Sequence, residues 1–295
     1  MITEFAPAKL NLYLHVTGRR ADGYHDLDSL VAFAGVGDSI TLEPSENFDF
    51  FIDGPQAGAL ANEPTDSNLA VRAAKALADL TNKNLNVKIT LTKKLPIASG
   101  IGGGSSDAAA TLRALAKHWS LPPNDRRILE AAAKQGQDVP VCLKVENNYM
   151  TATGTEPACD LPYADIVLVN PNKALPTPGV YKHYKMLGRD FSPHAQLKQA
   201  PKDLATLIAE LKARSNDLTL AAIDSEPMVG SVLKALEATD NCLLSRMSGS
   251  GATCFGFYAD RNAARNAASQ ILAAHPDWWV VQSYIPCRSD PRQNY

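Results

Sequence analysis

The sequence predicts an α+β fold built as two closely joined domains. Strand-like and helix-like segments mix without a strict strand–helix–strand rhythm, which disfavours a doubly wound parallel sheet. At 295 residues the chain is near the size at which one hydrophobic core divides. The pattern is softest between Asp160 and Asn172, so the expected domains are 1–160 and 161–295. With 45% hydrophobic and 20% charged residues, the composition is that of a folded chain.

The elements follow in order. Leu10, Leu12, Leu14 and Val16 alternate with Lys9, Asn11, Tyr13 and His15, which predicts a strand with one apolar and one polar face. Ser39 to Leu42 and Phe48 to Ile52 read as further strands, bounded by Gly, Asp and Pro. Asn68 to Leu80 is rich in Ala and Leu and predicts a helix. In Asn86 to Leu91, the positions Val87, Ile89 and Leu91 share one side of a strand. After a Gly-dense loop a helix runs to about Trp119, with Ala108, Leu112, Leu115 and Trp119 on one face. Pro122 and Pro123 end it, and another helix follows from Asp125 to Gln135. Beyond the boundary, Asp165 to Val169, Cys242 to Met247, Thr253 to Tyr258 and Trp278 to Ile285 predict strands. Helices are predicted near 178–187, 202–213, 227–238 and 263–273. The sequence shows no internal repeat and no low-complexity tract.

Charge and cysteine content exclude several functions. Twenty-nine basic against 31 acidic residues leave a net charge of −2, with no overall field to hold a nucleic-acid polymer. Five scattered cysteines without a CxxC pair do not read as a disulfide framework or a zinc knuckle. The N-terminal residues lack the basic and apolar regions of a signal peptide, and no apolar run approaches the ~18 residues of a membrane span. The expectation is a cytoplasmic protein with no nucleic-acid or membrane partner.

Four stretches carry chemistry. Gly100-Ile101-Gly102-Gly103-Gly104-Ser105-Ser106 leads into a helix. A backbone free of side chains before a helix N-terminus, whose N–H groups lack partners, is a cradle for phosphate. It is neither a P-loop, since no Lys follows the second Gly, nor a dinucleotide fingerprint, since Asp107 stands at the third Gly position. The same residues also fit a flexible turn with a serine cap. Met247 to Thr253 is a second Gly-rich segment, readable as a hairpin turn or as a second wall against a polyphosphate. Lys9 and Asn11 share the polar parity of the first strand, which equally describes a solvated face. Asp138, in Gly136-Gln137-Asp138-Val139-Pro140, is expected where a helix ends and an apolar strand begins. It reads either as a turn cap or as a carboxylate that needs a partner if buried.

PAKLNL at 7–12, GIGGGSSDAAA at 100–110 and MSGSGAT at 247–253 resemble, in order and spacing, the three motifs of the GHMP small-molecule kinase superfamily. Arg20-Ala21-Asp22-Gly23-Tyr24-His25 further resembles the R-x-D-G-Y-H signature of the branch acting on a cytidine diphosphate-linked methylerythritol in the non-mevalonate isoprenoid route. The stretch from Gly136 to Pro140, Pro176-Thr177-Pro178 with Tyr181, and Ser215 to Leu218 resemble that branch too, so the likeness runs from residue 5 to about 258.

The resemblance implies a two-domain kinase with its active site in the cleft between domains, using ATP and Mg²⁺ to phosphorylate an alcohol. It implies catalytic roles for Asp138, as base for the substrate hydroxyl, and Lys9, as its partner and a stabiliser of the moving phosphoryl. Ser99, Gly100, Gly102, Gly103, Gly104, Ser105 and Ser106 match the ATP phosphate loop, with Asn68 and Lys94 near the nucleotide and Ser106 as the metal ligand. Asn11, Tyr24, His25, Asp138, Tyr181, Gly249, Ser250 and Gly251 match substrate positions, the two tyrosines flanking the cytosine. The implied state is a monomer or weak homodimer.

Three positions depart from the branch. Val31 stands where a larger aromatic is common, leaving the third wall of the base pocket open. Gln137 replaces a common Ala and is expected on the face opposite Asp138. Thr153-Gly154-Thr155-Glu156 fits the usual turn imperfectly. A homoserine, mevalonate or sugar kinase of the same superfamily, or a non-catalytic nucleotide-binding regulator, are the competing readings. A base-free alcohol would leave Tyr24 and His25 without a role, and a regulator would not need both Lys9 and Asp138.

Overall fold

A computed structural model describes residues 1–21 and 23–287. Asp22 of the Arg20 to His25 stretch and residues 288–295 of the expected second domain lie outside the described residues. The strands form two sheets. The first holds β1 (Ile2–Asn11), β2 (His15–Arg19), β3 (His25–Pro44), β4 (Asp49–Asp53), β5 (Val87–Thr92), β6 (Asn148–Thr151) and β7 (Gly154–Pro157). The second holds β8 (Ala164–Asn170), β9 (Cys242–Met247), β10 (Cys254–Tyr258) and β11 (Trp279–Ile285), in the order β11-β8-β10-β9. Their pairings are antiparallel except β4 with β5. This is the α+β arrangement expected from the pattern.

The 20-residue β3 organises the first sheet, pairing with β1, β2, β5 and β6 along different stretches of its length. The segment read as one alternating strand from Lys9 to Val16 changes partners midway. Leu12 N–H donates to Leu30 C=O, but Leu14 N–H donates to Ser215 C=O in the other half of the chain. Its polar parity is not solvated: Lys9 is 4% and Asn11 2% exposed, because that face forms the floor of a cleft.

On the first sheet pack α1 (Leu69–Thr81), α2 (Gly103–His118), α3 (Arg126–Ala133) and α4 (Asp138–Lys144). Asn68 caps α1 by accepting from Ala70 N–H, and Asp125 caps α3 through Arg127 N–H. Asp138 opens α4 instead of closing a helix before a strand. Pro140 is tolerated there because a first-turn residue needs no intrahelical N–H bond. The second half adds α5 (Thr177–Met186), α6 (Leu204–Lys212), α7 (Thr219–Ser225), α8 (Met228–Glu237) and α9 (Arg261–Ala274). Of these, α5, α7, α8 and α9 surround a core of their own.

A third core joins the halves. Leu10 and Leu30 of the first sheet, with Leu12 just after β1, pack with Ile166, Leu168, Phe255 and Phe257 of the second and with Leu207 and Leu211 of α6, nearly all fully buried. Among the described residues no helix is long and apolar enough to cross a membrane.

Candidate active site

The cleft, of about 1170 Å³, is walled by both halves of the chain. Its floor is the end of β1, one wall is the loop leading into α2, and the other half contributes α5 and the β9–β10 turn.

Lys9 and Asp138 meet there. Lys9 Nζ lies 2.9 Å from Asp138 Oδ2, and the Asp138 side chain stays 36% exposed to the cleft. Asp138 is the first residue of α4, where the helix dipole favours a negative group. Gln137, just before it, also lines the cleft, so the expected opposite orientation does not hold: the backbone there is helical, not extended.

The Gly-dense loop ends at Gly102, the N-cap of α2, in the left-handed region at φ 64°. No side chain caps this helix, so the expected serine cap is absent and the first N–H groups remain for a ligand. Ser99, Gly100, Gly102, Gly103, Gly104 and Ser105 line the cleft, as does Asn68. Ser106 does not. It is fully buried and its hydroxyl donates to Pro7 C=O at 2.7 Å, so the side chain expected to hold metal faces the core.

The two Gly-rich segments lie back to back. A Cβ on Gly249 would stand 2.6 Å from Gly100 O, and both residues have positive φ, 54° and 76°. Ser248 ties the three motifs together: its hydroxyl accepts from Asn11 N–H at 3.1 Å and donates to Gly100 C=O at 3.0 Å. Asn216 holds the turn from behind by donating to Met247 and Gly249 carbonyls, both at 2.8 Å. Gly249 and Ser250 line the cleft, whereas Gly251 sits beneath them against Met247 and Leu175.

At one end of the cleft the His25 and Tyr181 rings stack, centroids 5.0 Å apart at 23°. Tyr24, at the rim, is 62% exposed. Tyr24 and Tyr181, the two tyrosines expected to flank the base, both line the cleft, and His25 lies against Tyr181. Burial, then the Arg19 charge and that of Lys185, lower the His25 pKa against the opposing pull of Asp26. Burial, with the Asp138 charge second, raises that of Tyr181. Val31 is fully buried in the first core and walls nothing.

Lys94, expected near the nucleotide, is exposed and outside the cleft lining; Lys93 lines it instead. The ammonium of Lys93 is buried between Asp38 and Asp107, the latter at 2.7 Å. Burial pushes the Asp107 carboxyl up to about 7, against the lowering effect of Lys93. The missed residue was signalled by parity, because Val87, Ile89, Leu91 and Lys93 all fall on the inward side of β5. Ser248 and Asn216 fall inside stretches that carry the resemblance, but what they tie together, like the role of Asp38, has no local signal because their partners are distant in sequence.

A two-sheet scaffold with an open helix N-terminus facing a Lys–Asp pair defines a small-molecule kinase. Residues 68–144 match the GHMP kinases N terminal domain, and residues 195–277 match the GHMP kinases C terminal. The chain belongs to the GHMP kinase family. It is 48% identical over 282 residues to 4-diphosphocytidyl-2-C-methyl-D-erythritol kinase of Paramagnetospirillum magneticum, covering 95% of this chain and 97% of the relative. It is 45% identical to the enzyme of the same name from Rhodospirillum rubrum, covering 95% and 91%. A crystal structure of 4-(cytidine 5'-diphospho)-2C-methyl-D-erythritol kinase superposes with a TM-score of 0.76 at 31% identity, covering 97% of this chain and all of that one.

Proposed function

We propose that the protein transfers the γ-phosphoryl group of ATP to the 2-hydroxyl of 4-(cytidine 5'-diphospho)-2-C-methyl-D-erythritol, a step of non-mevalonate isoprenoid biosynthesis, in the cytoplasm. The observation that carries this reading is the meeting in one cleft of the Lys9–Asp138 pair and the uncapped N-terminus of α2. The identity of the full-length relatives supports the substrate.

Phosphoryl transfer passes through a loose transition state, so positioning and charge do most of the work. The loop from Gly102 to Ser105 holds the triphosphate through backbone N–H groups. Asp138 orients the acceptor hydroxyl and takes its proton late, since a carboxylate is too weak a base to ionise an alkanol first. Lys9 stabilises charge on the transferred group. His25, Tyr181 and Tyr24 hold the cytosine, where a stacked base gains ~1–3 kcal/mol per contact. The domain of residues 1–160 carries the nucleotide site, α5 and the β9–β10 turn of the second domain wall the cleft, and the enzyme works as a monomer or weak homodimer.

Mg²⁺ would reach this cleft with ATP, held chiefly by the nucleotide's own oxygens, and would supply charge neutralisation there. Among the described residues no three His, Cys, Asp or Glu side chains cluster as a metal site, and Ser106 faces the core. Mg²⁺ commonly relies on substrate phosphates in this way.

An ADP-release assay tests the reading, with the cytidine-linked alcohol, mevalonate and homoserine as acceptors. Turnover is expected with the first. Faster turnover of mevalonate or homoserine would overturn the assignment.

A further inference from the structure

Ser29 lies on β3 behind the cleft, fully buried and outside its lining. Its hydroxyl has one proton to donate. That proton goes to Tyr13 C=O at 2.6 Å, which can only accept. Toward its other neighbour, the Asn11 side chain at 2.7 Å, the Ser29 oxygen must therefore accept. An amide carbonyl in that position would set acceptor against acceptor. Asn11 thus presents Nδ2 to Ser29, and its Oδ1 faces the other way.

That Oδ1 is buried and has no hydrogen-bond partner among the described residues, although Asn11 lines the cleft. Leaving a buried carbonyl unpaired costs about 1–3 kcal/mol, so the arrangement suits an acceptor completed by a ligand. The Asn11 backbone is pinned as well, through Ser248. Phosphate oxygens cannot supply the missing donor, but a hydroxyl can. Lys9 and Asn11 are two residues apart on one face of β1, roughly 6–7 Å. A hydroxyl reaching Asn11 therefore sits close to the one held at Asp138.

We propose that Ser29 is a positioning residue that locks the Asn11 amide with its carbonyl toward the substrate. The cleft thereby selects acceptor alcohols with a second hydroxyl near the one phosphorylated. This rests on the cleft being the alcohol-phosphorylating site described above.

The test compares wild type, Ser29→Ala and Ser29→Thr on the cytidine-linked alcohol and on analogues with each neighbouring hydroxyl replaced by hydrogen. Ser29→Ala is expected to raise KM for the alcohol roughly ten-fold, with a smaller change in kcat and none in KM for ATP. Ser29→Thr, which keeps the hydroxyl, restores the KM. Removing the partner hydroxyl costs wild type a similar factor and costs Ser29→Ala nothing further. If Ser29→Ala still discriminates by the wild-type factor, the proposal fails. If that variant does not fold, wild type decides alone: equal kcat/KM for every deoxy analogue overturns the proposal. Failure of wild type to turn over the cytidine-linked alcohol, with turnover of another polyol, removes the substrate reading instead. The Ser29 comparison is then made on that polyol.

Discussion

Gly100 and Gly249 touch backbone to backbone, so that a Cβ on Gly249 would lie 2.6 Å from Gly100 O. The contact fixes the phosphate loop against the β9–β10 turn from the other half of the chain. Gly249→Ala adds both this clash and strain at a φ of 54°. Left-handed backbone alone costs a non-glycine residue about 1–3 kcal/mol. The expected outcome is a clear fall in melting temperature together with weaker ATP binding. A variant with wild-type Tm and nucleotide affinity would show that the two loops are not mechanically joined.

Asp138→Asn keeps the shape of the side chain and its place at the start of α4 but removes the base. We expect kcat to fall at least ~10²-fold while ATP binding, measured by titration calorimetry with a non-hydrolysable analogue, is retained. Unchanged turnover would refute the role given to this carboxylate.

Tyr24 is 62% exposed, so Tyr24→Ala should leave the fold intact. In the proposed reading its ring acts on the base, remote from the reacting oxygen. KM for the cytidine-linked alcohol should rise about ten-fold, with a smaller effect on kcat. A selective loss of kcat would instead place the ring in control of Asp138 and the hydroxyl it holds.

Asp107 gives the protein a pH dependence of defined sign. Its carboxyl titrates at about 7 in the folded chain against 3.8 for the unperturbed group, chiefly because it is buried. The native state therefore binds the extra proton between these values. Stability from this group is full below about pH 4 and is lost as pH rises through about 7. Thermal melts of wild type and Asp107→Asn across that range should show wild type losing stability relative to the variant. A constant difference would refute the assignment.

Much of this was legible because it is written locally. Asn68 to Leu80 and Ala263 to Ala273 announce themselves by composition and periodicity, and the structure places helices at Leu69–Thr81 and Arg261–Ala274 with Asn68 and Asp260 as caps. The long β3 was not legible. Gly35, Gly37 and Asp38 look like breakers, yet the glycines sit where Tyr284 and Ala6 crowd the strand, and Asp38 is held by Lys93. In the cleft, the Gly-dense loop was readable from residue type, whereas the Lys9–Asp138 pair came from the family resemblance, since the two lie 129 residues apart. Lys94 was expected from the resemblance, whereas the inward parity of β5, continued one step past its end, leads to Lys93. The orientation of Ser106 toward Pro7 depends on a contact 99 residues away, which no local pattern encodes.

The core that runs from Leu10 and Leu30 to Phe255 and Phe257 has a kinetic consequence. To swing the two halves apart, the protein would have to bring fully buried aliphatic and aromatic side chains into water. Interfaces of that kind suppress hinge motion. We therefore expect the cleft to keep its shape as the two ligands of the proposed reaction enter, so that the ligands themselves, and not a closing domain, displace water between Asp138 and the N-terminus of α2.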